Sequence, residues 1–265
     1  MPKLRVGIVD FLNSRPLAWG FMKGQHAELF RTSFHPPAMV AHLLGEGGLD
    51  VGLIPTIEVQ RIPDLKVLPD LCVSATHEVR SVLLISQCPV EEIRRLALDV
   101  NSRTSVALTR ILCAERWGID PELVEHRPVI DHMLADADAA LVIGDPALKV
   151  DRDRYLVVDL AAEWRRMTGL PFVFAVWAVR PSVEMPDLAF YFKSSLRFGL
   201  QSMDTLVRES AAELELPSDT VRTYLTENLG FFLRDPELRG LETFWRKAEE
   251  HGLIESARPL EMVPA

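Results

Sequence analysis

Arg5–Leu17 reads RVGIVDFLNSRPL, and the fold follows from how this stretch changes character along its length. Val6, Ile8 and Phe11 are β-branched or aromatic, with no breaker before Asn13-Ser14, so the first half reads as a strand. Pro16 then enters a helix through Leu17, Ala18, Trp19 and Phe21, in a first turn where its missing N–H costs nothing. Asn13 or Ser14 is placed to cap that helix. A strand that ends in polar side chains at a helix N-terminus leaves unpaired backbone N–H groups there. Such a turn is either an ordinary capped junction or a seat for an anion.

The alternation continues outward from this unit. Leu29–Phe34 reads as a strand, and Pro36-Pro37 open a helix that Gly45, Gly47 and Gly48 end. Asp50–Ile54, DVGLI, has the unbroken apolar character of a buried parallel strand, stopped by Pro55-Thr56. Leu65–Leu68 and Leu71–Ala75 read as two short strands, and Val79–Ser86 as a longer one. A second unit begins near Gln87, with a short helix at Val90–Arg95 and a strand at Leu96–Val100. The polar turn Asn101-Ser102-Arg103-Thr104-Ser105 leads into a helix ending at Gly118. Strands follow at Asp138–Ile143 and Leu156–Leu160, then a helix ending at Gly169 and the strand Phe172–Val179. From Pro186 onward the pattern is one of amphipathic helices: 187–214, with a kink expected near Gly199, then 218–228 and 236–252.

Alternating strands and helices predict an α/β fold with mostly parallel sheets. Two such units each put a polar turn at a strand end, Asn13–Pro16 in one and Ser102–Ser105 in the other. Long strands at 79–86 and 172–179 have the place of two crossing connections between lobes. The expected division is a discontinuous first lobe, 1–84 plus 180–265, and a second lobe, 85–179. The strand ends then face each other across a cleft, where open α/β sheets bind ligands, and a clamp of this kind suits a small dicarboxylate.

Composition narrows the function classes. With 48% hydrophobic and 25% charged residues, 265 residues are enough for sizeable cores in a globular protein. A net charge of −9 excludes nucleic acid and an anionic membrane surface as general partners. Any attraction for an anion must therefore be local. The three cysteines, Cys72, Cys88 and Cys113, show no metal-ligand spacing and read as reduced thiols. The seven histidines show no repeated spacing either, so no metal is expected. No apolar run reaches the roughly 18 residues of a membrane span, and no apolar leader precedes the first strand, so a cytoplasmic location is expected. Either a monomer or a homodimer is compatible with the scattered apolar residues of the C-terminal helices.

VGIVDFLNSRPL, DVGLIP, NSRTSVALTRIL, DAALVIGDPAL and TGLPFVFAVWA, in this order and spacing, resemble the chorismate dehydratase family of the futalosine route to menaquinone. The resemblance continues more weakly through YLTENLGFFL and GLETFWRKAEEHGLI. It implies a two-lobed, periplasmic-binding-protein-like fold of type II used as a soluble enzyme with no cofactor. The implied reaction eliminates water from chorismate to give 3-[(1-carboxyvinyl)oxy]benzoate. Two other functions share this fold expectation: a non-catalytic binding protein for a small carboxylate, and the sister enzyme of the same route that acts on cyclic dehypoxanthine futalosine. The sister family resembles a different N-terminal turn, and DFLNSRP favours the dehydratase.

Loss of the C3 hydrogen and the C4 hydroxyl completes an aromatic ring. The C3 proton is acidified by delocalisation into the ring carboxylate, so donors aimed at that carboxylate lower the barrier. By resemblance Asn13 and Ser81 are the active-site residues. Ser102, Thr104 and Ser105, with the N–H groups of the helix they open, are placed to seat a carboxylate. Arg15 is a candidate to neutralise one. Gly144, Asp145 and Thr56 stand at strand ends expected to face the cleft. Arg103 reads as solvated, and Phe172 and Trp177 as core. No residue stands out as the general base, which leaves the substrate's own enolpyruvyl carboxylate as a candidate.

Overall fold

The computed structural model describes residues 3–24 and 27–264. β1 (Leu4–Val9) passes through the 3-10 turn Leu12–Ser14 into α1 (Arg15–Lys23). Then come β2 (Phe30–His35), α2 (Pro37–Gly45), β3 (Val51–Pro55), α3 (Thr56–Arg61) and β4 (Lys66–Ala75). The middle of the chain holds β5 (Val82–Ser86), β6 (Arg95–Asp99), α4 (Thr104–Leu112), β7 (Glu122–His126), α5 (Ile130–Asp136), β8 (Ala139–Ile143), α6 (Asp145–Leu148), β9 (Leu156–Asp159) and α7 (Leu160–Thr168). β10 (Phe172–Val179) precedes α8 (Leu188–Gln201), α9 (Met203–Leu214), α10 (Ser218–Thr223) and α11 (Asp235–Glu250).

The strands form two five-stranded sheets, in the orders β2-β1-β3-β10-β4 and β7-β6-β8-β5-β9. The orders are two instances of one arrangement. A leading strand, β1 or β6, lies between its two parallel successors. Next comes an antiparallel strand adjoining a connection between the sheets, β10 in one and β5 in the other. β1 therefore corresponds to β6, and β3 to β8. The turns after these four strands are the ones that meet between the sheets.

The pairing of β10 corrects the expected division of the chain. Phe172–Val179 pairs with β3 and β4, so the return to the first sheet falls before Phe172 rather than after residue 179. β5 begins only at Val82, and Ser81 sits in the connection before it. The two short strands expected around Pro69-Asp70 are one strand, β4, with Asp70 at φ 66° and a bulge opposite Val176–Ala178. The helix expected at 187–214 breaks at Ser202, between α8 and α9. Gly199 has a different use: a Cβ there would lie 2.2 Å from the Pro16 carbonyl oxygen, so it allows α8 to close on α1. Ser195 completes this contact by accepting from the Gly20 N–H at 3.0 Å and donating to the Leu17 carbonyl at 2.7 Å. The helix that follows the Asn13 turn is thereby fixed to the C-terminal block.

Apolar runs decide which faces are buried. All five residues of β3, β5 and β8 are buried, as expected of strands covered on both faces. Alternate residues of β5 and β8 point to opposite faces, and Leu83, Ile85, Ala140 and Val142 pack with Met133 of α5 in a separate small core. Trp164, Phe172 and Phe244 pack edge to face under the return connection. Phe172 and Trp177 are core residues, fully buried. Among the described residues no helix is long and apolar enough to cross a membrane.

Candidate active site

Between the sheets lies a narrow cavity of about 60 Å³. Its polar wall comes from both lobes. Asn13 stands in the 3-10 turn after β1, and Ser102, Thr104 and Ser105 stand at the corresponding turn after β6. Ser81 comes from the connection before β5, and Gly144 from the turn after β8. Phe11 and Phe174 supply aromatic surface. Six sequence candidates thus reach one wall: Asn13, Ser81, Ser102, Thr104, Ser105 and Gly144.

Arg103 also lines the cavity and is exposed; among the described residues it is the only one on the wall with an ionisable side chain. Among the described residues, none on the wall is a carboxylate, histidine, lysine or cysteine. Among the described residues no cluster of His, Cys, Asp and Glu is arranged to hold a metal. What the site offers is neutral hydrogen-bonding groups, one guanidinium, and the unpaired N–H groups that open α4. Such a set steadies negative charge on a ligand.

Neither expected capping arrangement is present. Ser14 donates to the carbonyls of Val9 and Phe11 instead of accepting from the helix, and α1 has no side-chain cap. α4 is likewise uncapped by side chains. Thr104 accepts at Oγ1 from the Ile57 N–H at 3.1 Å, which ties α4 to the opposite α3. The first turn of α4 is therefore free of internal side-chain partners.

Three candidates do not reach the cavity wall. Arg15 turns its guanidinium to α9, donating to Ser210 Oγ at 2.9 Å and pairing with Glu213 at 2.6 Å. Its side chain, largely buried, is held between α1 and α9. Thr56 is fully buried and donates to the Val173 carbonyl at 2.9 Å. Its own carbonyl accepts from Trp245 Nε1 at 3.0 Å, so it joins β3, β10 and α11. Asp145 accepts from the Leu12 N–H at 2.9 Å, a bond between the turns after β8 and β1. Burial pushes the Asp145 carboxyl above its ordinary value, and the Leu12 bond only partly opposes this.

Backbone strain accompanies the site. Gly144 has φ 69° and ψ −149°, and a Cβ there would lie 2.6 Å from the Phe11 ring. Arg80, beside Ser81, has φ 64°. It is held by Asp159, which accepts from the N–H groups of Arg80 at 2.7 Å and Val79 at 3.2 Å. The same carboxylate caps α7 through Ala161 and Ala162. A single side chain thus fixes both the entry to β5 and the helix after β9.

Tyr224 was not singled out in the sequence. It lies at the start of a π-helical turn, Tyr224–Asn228, of the kind enriched at functional sites. Its hydroxyl donates to Ser81 Oγ at 2.7 Å. The signal available was its position at the head of YLTENLGFFL; its contact with Ser81, 143 residues away, has no local trace.

A family profile described as menaquinone biosynthesis matches residues 4–250. The chain is 31% identical over 267 residues to a chorismate dehydratase of Thermus thermophilus, an alignment spanning 94% of this chain and 95% of that protein. It is 35% identical over 130 residues to a chorismate dehydratase of Campylobacter jejuni, spanning 48% of this chain and 44% of the relative. Among solved structures, a protein of Archaeoglobus fulgidus matches with a TM-score of 0.79 at 15% identity, over 95% of this chain and 98% of that one. The periplasmic aliphatic sulphonate binding protein of Escherichia coli matches with a TM-score of 0.65 at 14% identity, over 100% and 95%. These likenesses make the fold periplasmic-binding-protein-like. Matched along nearly its whole length by the profile and by a relative of equal extent, the chain belongs to the menaquinone biosynthesis family.

Proposed function

We propose that the protein is a chorismate dehydratase, eliminating water from chorismate to give 3-[(1-carboxyvinyl)oxy]benzoate. One observation carries the mechanism: the cavity wall brings together the neutral donors Asn13, Ser81, Ser102, Thr104 and Ser105, with no side chain suited to be a general base among the described residues. The reaction asks for this combination. Removal of the C3 proton places negative charge on the ring carboxylate, and the groups from Ser102 to Ser105 with the α4 N–H groups are disposed to steady it. The substrate's enolpyruvyl carboxylate, held beside C3, takes the proton. The C4–O bond then breaks, the ring becomes aromatic, and the C3 proton and C4 hydroxyl leave as water. Asn13 and Ser81 hydrogen-bond the departing hydroxyl or a carboxylate. No metal or organic cofactor takes part in these steps.

All three cysteines are free thiols, in keeping with a reducing, cytoplasmic setting. The experiment is to offer purified protein chorismate and cyclic dehypoxanthine futalosine side by side. Loss of the cyclohexadiene absorbance, with a product lighter by one water, is expected from chorismate alone. Binding of chorismate without turnover would instead support a solute-binding protein, and turnover of the futalosine compound the sister enzyme.

A further inference from the structure

Tyr224 arrives at the site from the C-terminal helical block, where α10 passes into the π-helical turn. Its side chain is buried, with 1% of the residue exposed, so its hydroxyl must find a partner within the protein. That partner is Ser81 Oγ, at 2.7 Å. The phenol therefore joins the C-terminal helical block to a candidate catalytic residue at the entry to β5.

Directionality follows from counting protons. A serine hydroxyl has one proton and accepts through its lone pairs. Ser81 accepts from Tyr224, so its own proton is not needed for that bond. Ser81 lines the cavity, and its hydroxyl has no further partner among the described residues. The remaining donor capacity is thus turned into the cavity. Burial also holds the phenol well above its ordinary titration range, so the proton stays on Tyr224.

We propose that Tyr224 is a positioning residue that sets the polarity of its hydrogen bond with Ser81, so that Ser81 presents a donor to the oxygen on which negative charge builds. The proposal rests on the dehydratase reading. Tyr224 touches no reacting atom; it acts through Ser81. Without the phenol oxygen, Ser81 can spend its proton elsewhere, and the fraction of molecules with a correctly aimed donor falls.

The test compares chorismate turnover by the parent, Tyr224→Phe, Ser81→Ala and the double variant. Phenylalanine removes one buried oxygen and leaves Ser81 facing the cavity, where water can satisfy its hydroxyl, so the fold should persist; assays well below each melting temperature make this explicit. The expected result is a fall in kcat of about tenfold for Tyr224→Phe, the equivalent of one hydrogen bond, with KM within about twofold. In the Ser81→Ala background the same change should cost almost nothing, because there is no serine left to orient. Equal losses in both backgrounds would mark a merely structural tyrosine and overturn the proposal, as would a Tyr224→Phe rate equal to the parent's. A parent that leaves chorismate intact would overturn the dehydratase reading and the proposal with it, and that outcome is visible before any variant is compared.

Discussion

The Leu12 N–H and the Asp145 carboxylate are bonded at 2.9 Å across the cleft, tying the turn after β1 to the turn after β8. They belong to two sheets with the same strand order, in which β8 holds the place that β3 holds in the first. The bond holds the Asn13 turn in register with the opposite wall. Asp145 therefore acts as a tie between lobes rather than as a ligand group. Asp145→Ala should leave the Leu12 N–H without an acceptor, costing about 1–3 kcal/mol and raising KM for chorismate. Asp145→Asn keeps an acceptor and relieves a buried charge, so its melting temperature should stay near the parent's. Thermal unfolding of both variants, with KM, checks this.

Gly144 tests how closely the two walls approach. Gly144→Ala combines an unfavourable φ with a Cβ 2.6 Å from the Phe11 ring. The backbone term alone is of order 1–3 kcal/mol. The added contact should also push the turns apart and weaken substrate binding by tenfold or more. Phe11→Ala in the same background should restore binding in part but not stability, since it removes the clash and not the strain. Titration with the product and thermal melts separate the two effects.

Asp159 and Arg80 make a second pair with opposite expectations. Asp159→Ala removes the acceptor for the N–H groups of Val79, Arg80, Ala161 and Ala162 and should cost at least about 3 kcal/mol. Arg80→Gly relieves a left-handed conformation at φ 64° and should leave stability unchanged or raise it by up to about 1 kcal/mol. Denaturant unfolding measures both. A fall in activity with Asp159→Asn at unchanged KM would show displacement of Ser81.

Acid should release the Asp50–Arg5 tie. Asp50 accepts from the Arg5 backbone N–H at 2.8 Å and from its guanidinium at 2.5 and 3.1 Å. The guanidinium hydrogen bond holds the carboxyl below the ordinary value of 3.8. The folded protein then binds fewer protons here than the unfolded chain. The stabilisation is fully present above the ordinary carboxylate value and is lost as pH falls through the lower folded value. Asp50→Asn should reduce stability at pH 7 and flatten the acid limb of a stability–pH curve.

Much of this arrangement is legible in the residues because it is local. RVGIVD, DVGLI and DAALVI are buried strands by their apolar runs, and the turns after them are marked by Asn13-Ser14, Pro55-Thr56 and Gly144-Asp145. β7 escaped because it is an edge strand with largely exposed residues, ELVEH, and so has no apolar signature. α3 escaped because Pro55-Thr56 reads as a stop, whereas Pro55 serves as the residue before a new helix. The roles of Arg15, Thr56 and Asp145 were not legible either. Each is decided by a partner more than 100 residues away: Ser210, Val173 and Leu12. Turn position places a side chain near a cleft; only tertiary packing decides whether it faces the ligand or secures the wall.

The account's central claim is that the two walls together bind chorismate and lower the barrier to loss of water with hydrogen-bond donors and no base from a side chain. Its most direct measurement is the chorismate-dependent loss of cyclohexadiene absorbance with folded Asn13→Ala and Ser81→Ala variants beside the parent. Removing one such donor is expected to slow turnover by about 100-fold or more. Variants that consume chorismate at the parent's rate would contradict the account.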